Sequence, residues 1–392
     1  MANIAVVVPC YNVKAQIGSV LEAMPPCVAR IFVVDDCCPE KTGEFVRAKL
    51  KDSRIRILTH EKNQGVGGAV MTGYKAAIAE GMDILVKIDG DGQMDPSLIE
   101  NFVRPLEDGS ADYAKGNRFW NAENLREMPR IRLFGNAVLS FINKISSGYW
   151  NIMDPTNGYT AITAEVVREL PFEKISRRYF FETDILFRLS TMRAVVQDIP
   201  MRAKYADEKS GLNIKKILFE FLGKHAVNAF KRIIYNYYIR DFSVASVELL
   251  LSVPLLAFGI GFGVSEWIET LRTGIVASSG TVMLAALPVF MGLELLLSFI
   301  NYDIASVPKT SISRFLRPML VLFAALVLYA VTTVGWVFVL SKLSLAKAYP
   351  LMALAFVFVP FLSVFVFNEQ IGLRYIIGVV FIVLGVALSI TS

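Results

Sequence analysis

From the N-terminus, apolar positions first form short β-branched runs and much later form long unbroken ones. Ile4–Val8 is a continuous apolar run suited to a strand buried on both faces, and Pro9 is expected to stop it. A helix is predicted over 14–24. Ile31–Val34 gives a second strand, which ends in Asp35-Asp36, and Arg54–Leu58 gives a third. Gly65–Gly68 opens a helix that runs to Ala79, and Asp83–Ile88 is a fourth strand ending in Asp89. Alternation of strand and helix predicts a mostly parallel sheet with crossover helices. Several strands end in polar residues at their C-terminal edge, the edge where open α/β sheets bind ligands.

Beyond Gln93 the pattern loosens. Residues 95–107 read as helix, 112–117 as strand, and 119–160 as mixed helix and loop. Helices over Glu165–Glu169 and Glu182–Met192 and a strand over Ala194–Pro200 follow. Residues 214–240 carry Ile217, Leu218, Phe221 and Leu222 at helical spacing among lysines and aromatics, as in helices lying in a membrane interface. Apolar segments then occupy 243–264, 276–300, 318–340, 348–367 and 375–391. Each approaches the ~20 residues a helix needs to cross the hydrocarbon core. The expected organisation is a catalytic domain over 1–212, interfacial helices over 213–242, a membrane hairpin over 243–308 and a three-helix segment over 309–392.

Composition sharpens this division. A mean hydropathy of +0.49 over 392 residues is too high for a soluble protein, and the excess lies in the C-terminal part. The net charge of +5 is too small to suggest nucleic acid as a partner. Lys215, Lys216, Lys224, Lys231, Arg232 and Arg240 cluster just before the first long apolar run. There they would keep the preceding domain on the cytoplasmic side and meet anionic lipid heads; a plain solvated helix face is the alternative. Cys10, Cys27, Cys37 and Cys38 lack a zinc-like spacing with His and read as reduced thiols of a cytosolic domain. No signal peptide is expected in MANIAVVVPCYN.

Candidate chemistry sits at the strand ends. Asp89-Gly90-Asp91-Gly92-Gln93 places two carboxylates where they can hold a hard divalent cation, Mg²⁺ or Mn²⁺, whose other positions go to diphosphate oxygens. Pro9-Cys10-Tyr11-Asn12 offers a ring for stacking and an amide for hydrogen bonds, and Asp35-Asp36 offers acceptors for a base or ribose. Turn and capping chemistry would explain the last two equally well. Asn63-Gln64-Gly65-Val66-Gly67-Gly68 lacks the ending of a P-loop and reads better as a helix start that needs small residues for close packing. His60 and His225 stand in no motif and are expected to be structural or superficial.

The motifs VVVPCYN, VVDDCC, NQGVGGA and IDGDGQMD, in this order, resemble the family 2 inverting glycosyltransferases of GT-A fold. Within that family they are most similar to the polyprenyl-phosphate glycosyltransferases, the group of the dolichyl-phosphate mannose synthases. The resemblance covers about 3–308; Cys37-Cys38 departs from the small residues common there. It implies that Pro9, Tyr11, Asn12 and Asp36 hold the nucleoside, and that Asp89, Asp91 and Gln93 surround the metal and donor diphosphate. It places Arg118, with Arg132 or Arg130, near the acceptor phosphate, and puts Asp154, Lys209 and Ser210 on the acceptor side. Asp91, Arg118 and Arg132 would then be the catalytic set. The implied reaction is inverting transfer of a sugar from a UDP- or GDP-sugar to undecaprenyl or dolichyl phosphate at the cytoplasmic membrane. A phosphate acceptor is already anionic, which agrees with the lack of an obvious basic His.

Leu345–Pro350, Asn368-Glu369, Gly378 and Gly385 resemble later helices of small multidrug resistance or drug/metabolite transporters. No counterpart of that family's first helix and its acidic residue is present; Glu294 falls in the preceding hairpin. A scaffold, a self-association surface or a part in lipid translocation is therefore expected of 317–392. The competing reading is a transporter or flippase component for lipid-linked sugars with a regulatory glycosyltransferase-like domain. A processive polysaccharide synthase is disfavoured, because no Q-x-x-R-W-like motif follows the acceptor region.

Overall fold

The computed structural model describes residues 2–121, 130–202, 214–342, 372, 375 and 378–384. They divide into two compact units, Met1–Leu316 and Arg317–Ser392.

The first unit is built on one seven-stranded sheet of order β3-β2-β1-β4-β6-β5-β7. Strands β1 (Ile4–Cys10), β2 (Val28–Asp35), β3 (Ile55–Thr59) and β4 (Ile84–Lys87) are mutually parallel. β5 (Tyr113–Asn117) and β7 (Val196–Pro200) pair in parallel, while β6 (Thr160–Thr163) runs antiparallel between β4 and β5. The expected mostly parallel sheet is present, and β6 is the strand that the hydrophobic pattern missed. At four residues without alternation it carries no periodicity to read.

Period-two alternation along β1 feeds two cores. Ile4, Val6, Val8 and Cys10 face α1 (Ile17–Glu22), α2 (Thr42–Lys49) and α4 (Ile99–Glu107). Ala5 and Val7 face α3 (Val66–Ala79), α6 (Ala164–Glu169) and α7 (Phe181–Met192). Pro9 does not stop β1. Val7 O accepts from Ile88 on the β4 side and Cys10 O from Asp36 on the β2 side. Pro9 therefore points toward β4, whose ladder has already ended at Lys87, so its missing N–H loses nothing.

The glycines that open α3 serve packing, as the sequence suggested. A Cβ on Gly67 would come within 2.6 Å of Ser176 O, and one on Gly73 within 2.3 Å of Val7 Cγ1. Helix α5 (Arg130–Ser147) emerges from the stretch whose pattern was mixed.

Helix α8 (Ile214–Ile234) divides its faces. His225, Asn228 and Arg232 are buried, while Phe219 and Phe230 stay exposed. His225 Nδ1 meets Ser146 Oγ at 2.7 Å, and Asn228 donates to Asp184 at 3.0 Å. Burial pushes the His225 imidazole down to about 4, so it is neutral and structural. Arg232 leaves the solvated basic cluster to pair with Asp303. A π-helical turn, Tyr235–Ile239, leads to the hairpin.

That hairpin is α9 (Val244–Thr273) and α10 (Ser279–Ala305), both long and apolar enough to cross a membrane. Only 11% of each apolar window is buried, which is unlike the core helix of a soluble protein. Both outlast their expected apolar segments. In α9 the excess carries Glu266, Glu269 and Arg272: helical hydrogen bonding continues where apolar character stops. Glu294 on α10 is exposed, whereas Glu248 on α9 accepts from Ser298 at 2.8 Å.

Five spans were expected, and two are found among the described residues. The third apolar segment lies in α11 (Ser313–Lys342), where the described apolar stretch is Ala325–Gly335. The fourth segment lies outside the described residues, as do Leu345–Pro350 and Asn368-Glu369; of the fifth, residues 375 and 378–384 are described, all as helix.

Candidate active site

The C-terminal ends of β1, β2 and β4 open on one cavity of about 520 Å³. Pro9, Tyr11, Asp36, Asp89 and Asp91 line it, so the fold gathers five of the expected residues. Asn12 adjoins it with φ 56°, a left-handed conformation that Asn tolerates, and its backbone N–H donates to Cys38 Sγ. Asn12 and Gln93 do not line the cavity in this conformation; Gln93 donates its backbone N–H to Asp91 Oδ1 at 3.0 Å. That Asx turn sets the direction of the Asp91 carboxylate.

Asp35 and Asp36 have partners that the sequence could not show. Asp35 accepts from Cys38 N at 2.7 Å and Gly43 N at 2.6 Å, which makes it a turn cap. Asp36 accepts from His60 Nδ1 at 2.7 Å, Gln64 N at 2.8 Å and Gly65 N at 2.7 Å. It fastens the loop before α3 while forming part of the cavity wall. His60 bridges Asp36 and Thr72 Oγ1, so it is structural. Cys10 also lines the cavity, and burial pushes its thiol up, away from nucleophilic character.

Asp89 belongs to a charged cluster around Lys87. The Lys87 ammonium is completely buried, 2.9 Å from Asp89 and 3.1 Å from Glu182. Burial alone would lower its pKa, but the two carboxylates outweigh it and the group is raised. One Asp89 oxygen is thus committed, and the side chain is still 29% exposed to the cavity. Asp89 and Asp91 therefore fit a hard cation that takes one or two carboxylates and completes its sphere with phosphate oxygens and water. Among the described residues no group of three His, Cys, Asp or Glu converges.

Two of the residues expected on the acceptor side, Arg118 and Asp154, assemble next to this cluster. Arg118 donates to both oxygens of Asp154, at 2.7 and 2.8 Å, a bidentate pair. Asp154 is buried, and its loop is held by Lys115, which donates to Asn157 O at 2.6 Å. Burial pushes Lys115 down to about 8. Four residues past Asp154, the Cα of Gly158 faces Asp89: a Cβ there would lie 2.4 Å from Asp89 Oδ2. At ~3.5 Å per residue, 154 and 158 are at most about 14 Å apart, so the Arg118–Asp154 pair and Asp89 belong to one site.

Arg130 and Arg132 lie in the first turn of α5, and their side chains are outside the described residues, as are Lys209 and Ser210 entirely. Two residues that the sequence reading missed, Arg178 and Tyr179, close the cavity from the segment before α7. No strand end or motif marks them. Only the packing of Gly65 and Gly67 against 176–178 brings them there.

Acidic strand tips around one cavity at the C-terminal edge of a mostly parallel sheet define an α/β domain with its ligand site at the strand ends. Residues 5–171 match the sequence model of Glycosyl transferase family 2, and the chain carries a glycosyltransferase domain of that family. It is 27% identical over 218 residues to the UDP-N-acetylglucosamine–dolichyl-phosphate N-acetylglucosaminyltransferase of Methanococcus voltae, covering 52% of this chain and 86% of that protein. It is 26% identical over 205 residues to the undecaprenyl-phosphate mannosyltransferase of Micrococcus luteus, covering 51% and 82%. Among solved structures, glucosyl-3-phosphoglycerate synthase from Mycobacterium tuberculosis with UDP aligns at 19% identity over 59% of this chain and 80% of its own, with a TM-score of 0.45.

Proposed function

We propose that this chain transfers a sugar, with inversion, from a nucleoside-diphosphate sugar to the phosphate of a polyprenyl lipid at the membrane. The observation that carries the reading is the junction of three features in one unit. A cavity tipped by Asp89 and Asp91 lies beside the Arg118–Asp154 pair, and the same unit continues into a hairpin that can enter a bilayer. The named relatives act on dolichyl or undecaprenyl phosphate, which supports a lipid acceptor here.

In this reading Tyr11 and Tyr179 flank the nucleoside, Pro9 and Asp36 shape the wall beside it, and Asn12 adjoins it from just outside the lining. Asp89 and Asp91, with Gln93 beside them, are the residues that would hold Mg²⁺ or Mn²⁺. When bound, the ion neutralises charge on the departing diphosphate. Arg118, fixed in direction by Asp154, receives the acceptor phosphate together with Arg132 or Arg130, and Lys209 and Ser210 close the acceptor side. The acceptor oxygen is anionic before it attacks, so no side chain need remove a proton. His60 is already engaged by Asp36 and Thr72, in agreement with that. The domain faces the cytoplasm, and 1–212, 213–242, 243–308 and 309–392 serve as catalytic, interfacial, anchoring and accessory parts.

The test is sugar transfer by the full chain in lipid nanodiscs, with UDP- and GDP-sugars offered against undecaprenyl and dolichyl phosphate. Asp91→Ala is expected to abolish a divalent-cation-dependent lipid-linked product. Retained activity in that variant refutes the assignment.

A further inference from the structure

At the root of the apolar hairpin lies a second, small polar cavity of about 40 Å³. Its wall includes Arg193, Arg232, Asn236, Arg240, Asp241 and Asp303. Asp303 is fully engaged, accepting from Arg232 at 2.6 and 3.0 Å, from Tyr237 at 2.5 Å and from Trp150 at 2.8 Å. Asp241 is exposed on the rim.

Arg193 and Arg240 form no ion pair among the described residues, although the Asp241 carboxylate on the rim acts on Arg240 from a greater distance. Arg240 donates to Thr191 O at 2.8 Å, and Arg193 reaches Ser306 O at 3.4 Å. Burial, and then the nearby Arg193 charge, push the Arg240 guanidinium below its ordinary value, outweighing the opposing pull of Tyr235 and Asp241. Two buried polar atoms in the same wall, Arg232 Nε and Asn236 Oδ1, have no partner either. The Arg232 side chain is only 3% exposed, so its unmet N–H cannot simply turn to bulk water. An Asn amide can present either its oxygen or its nitrogen, which gives the wall a further donor.

Two like charges held together beside an unmet donor complement a small anion. The cavity has room for about three water-sized groups at roughly 10–15 Å³ each, enough for phosphate oxygens but not for a sugar. Its depth identifies the source. Asp241 precedes the start of α9 at Val244, and Asp303 lies in the last turn of α10, so the cavity sits where the hairpin leaves the hydrocarbon.

This cavity is separate from the acceptor side. Arg193 lies just before β7, whose Val196 pairs with Tyr113 at the start of β5. Arg118 follows Asn117 at the far end of β5, about 15 Å away at ~3.3 Å per residue.

We propose that this pocket binds the phosphate of an anionic phospholipid from the surrounding bilayer, clamping the catalytic unit to the membrane surface. The proposal requires the hairpin to sit in a bilayer and does not depend on the sugar-transfer reading.

The experiment uses the full chain in detergent, titrated with phosphatidylglycerol, phosphatidylcholine or inorganic phosphate. Native mass spectrometry reads bound lipid, and thermal unfolding reads protection. Wild type is expected to retain one phosphatidylglycerol that phosphatidylcholine does not displace. With each arginine near a charged surface worth roughly a factor of five, Arg193→Gln and Arg240→Gln together should weaken it about 25-fold. Arg240→Lys should retain most of the affinity. Arg193→Gln alone, at an exposed position, keeps the test available if the double variant does not fold. Unchanged phosphatidylglycerol binding in the variants overturns the proposal. Equal protection by inorganic phosphate assigns the site to free phosphate and overturns the lipid source, and equal competition by phosphatidylcholine, whose phosphate is balanced by choline, overturns the selectivity for an anionic lipid.

Discussion

Gly158→Ala is the sharpest probe of how the two halves of the site are joined. A methyl group at 158 would lie 2.4 Å from Asp89 Oδ2, 2.5 Å from Lys87 Nζ and 3.1 Å from Met94 Cε. Ordinary contact is about 3.5 Å, so the first two overlaps approach 1 Å. Lys87 cannot yield, being completely buried and pinned between Asp89 and Glu182. Asp89, 29% exposed, is the group that moves, and it moves toward the cavity. Overpacking of this kind costs about 1–3 kcal/mol of stability. Displacement of a positioning group by ~1 Å costs on the order of 100-fold in rate. The expected result is a folded protein with a modestly lower Tm and kcat/KM for sugar transfer reduced about 100-fold. The assay is steady-state transfer to polyprenyl phosphate in nanodiscs, run with Asp89→Ala and the double variant. If the methyl acts through Asp89, it adds little in the Asp89→Ala background. Wild-type kcat/KM in Gly158→Ala, or full additivity with Asp89→Ala, would refute the steric reasoning.

Other expectations follow from the same geometry. Arg178→Ala, on the cavity wall, should raise KM for the nucleotide sugar about tenfold with little change in kcat, measured by donor titration. Asp198 lies mostly buried, and burial raises its carboxyl from 3.8 to about 6. The folded state therefore binds a proton more tightly than the unfolded chain, and stability falls as pH rises from about 4 to 6. Asp198→Asn should raise Tm at pH 7.5 and leave it nearly unchanged near pH 3.5; an equal gain at both pH values would contradict this. Buried Asp112 accepts from Val195 N, Ser311 Oγ, Ile312 N and Ser313 N and Oγ, at 2.6 to 3.0 Å. Asp112→Ala strands several donors and should destabilise the first unit by roughly 3–5 kcal/mol, seen as early proteolysis around 306–313. Asp154→Asn, which breaks the bidentate pair with Arg118, should lower kcat more than donor affinity; an effect on donor KM alone would count against an acceptor-side role.

The sequence by itself determined the features set by neighbours in the chain. Continuous apolar runs marked β1, β2 and β4, because a strand buried on both faces must be apolar throughout, while edge strand β3 showed as an alternation of Arg and Ile. Asp89 and Asp91 were legible because their position directly follows such a run, and α9 and α10 because a bilayer demands some twenty apolar residues together. Tertiary structure decided what depends on residues far apart. Asp36 looks like a free acceptor in sequence, and only folding brings His60, Gln64 and Gly65 onto its oxygens. Arg178 and Tyr179 reach the cavity because two glycines of α3 and its cap let the 176–178 backbone approach, a contact that no local pattern encodes. The reversal of β6 likewise rests on its neighbours: four residues carry too little periodicity, and direction is chosen by the ladders of β4 and β5. The opening cavity of the enzyme could thus be read from strand ends, while its walls could be read only once the chain had closed on itself.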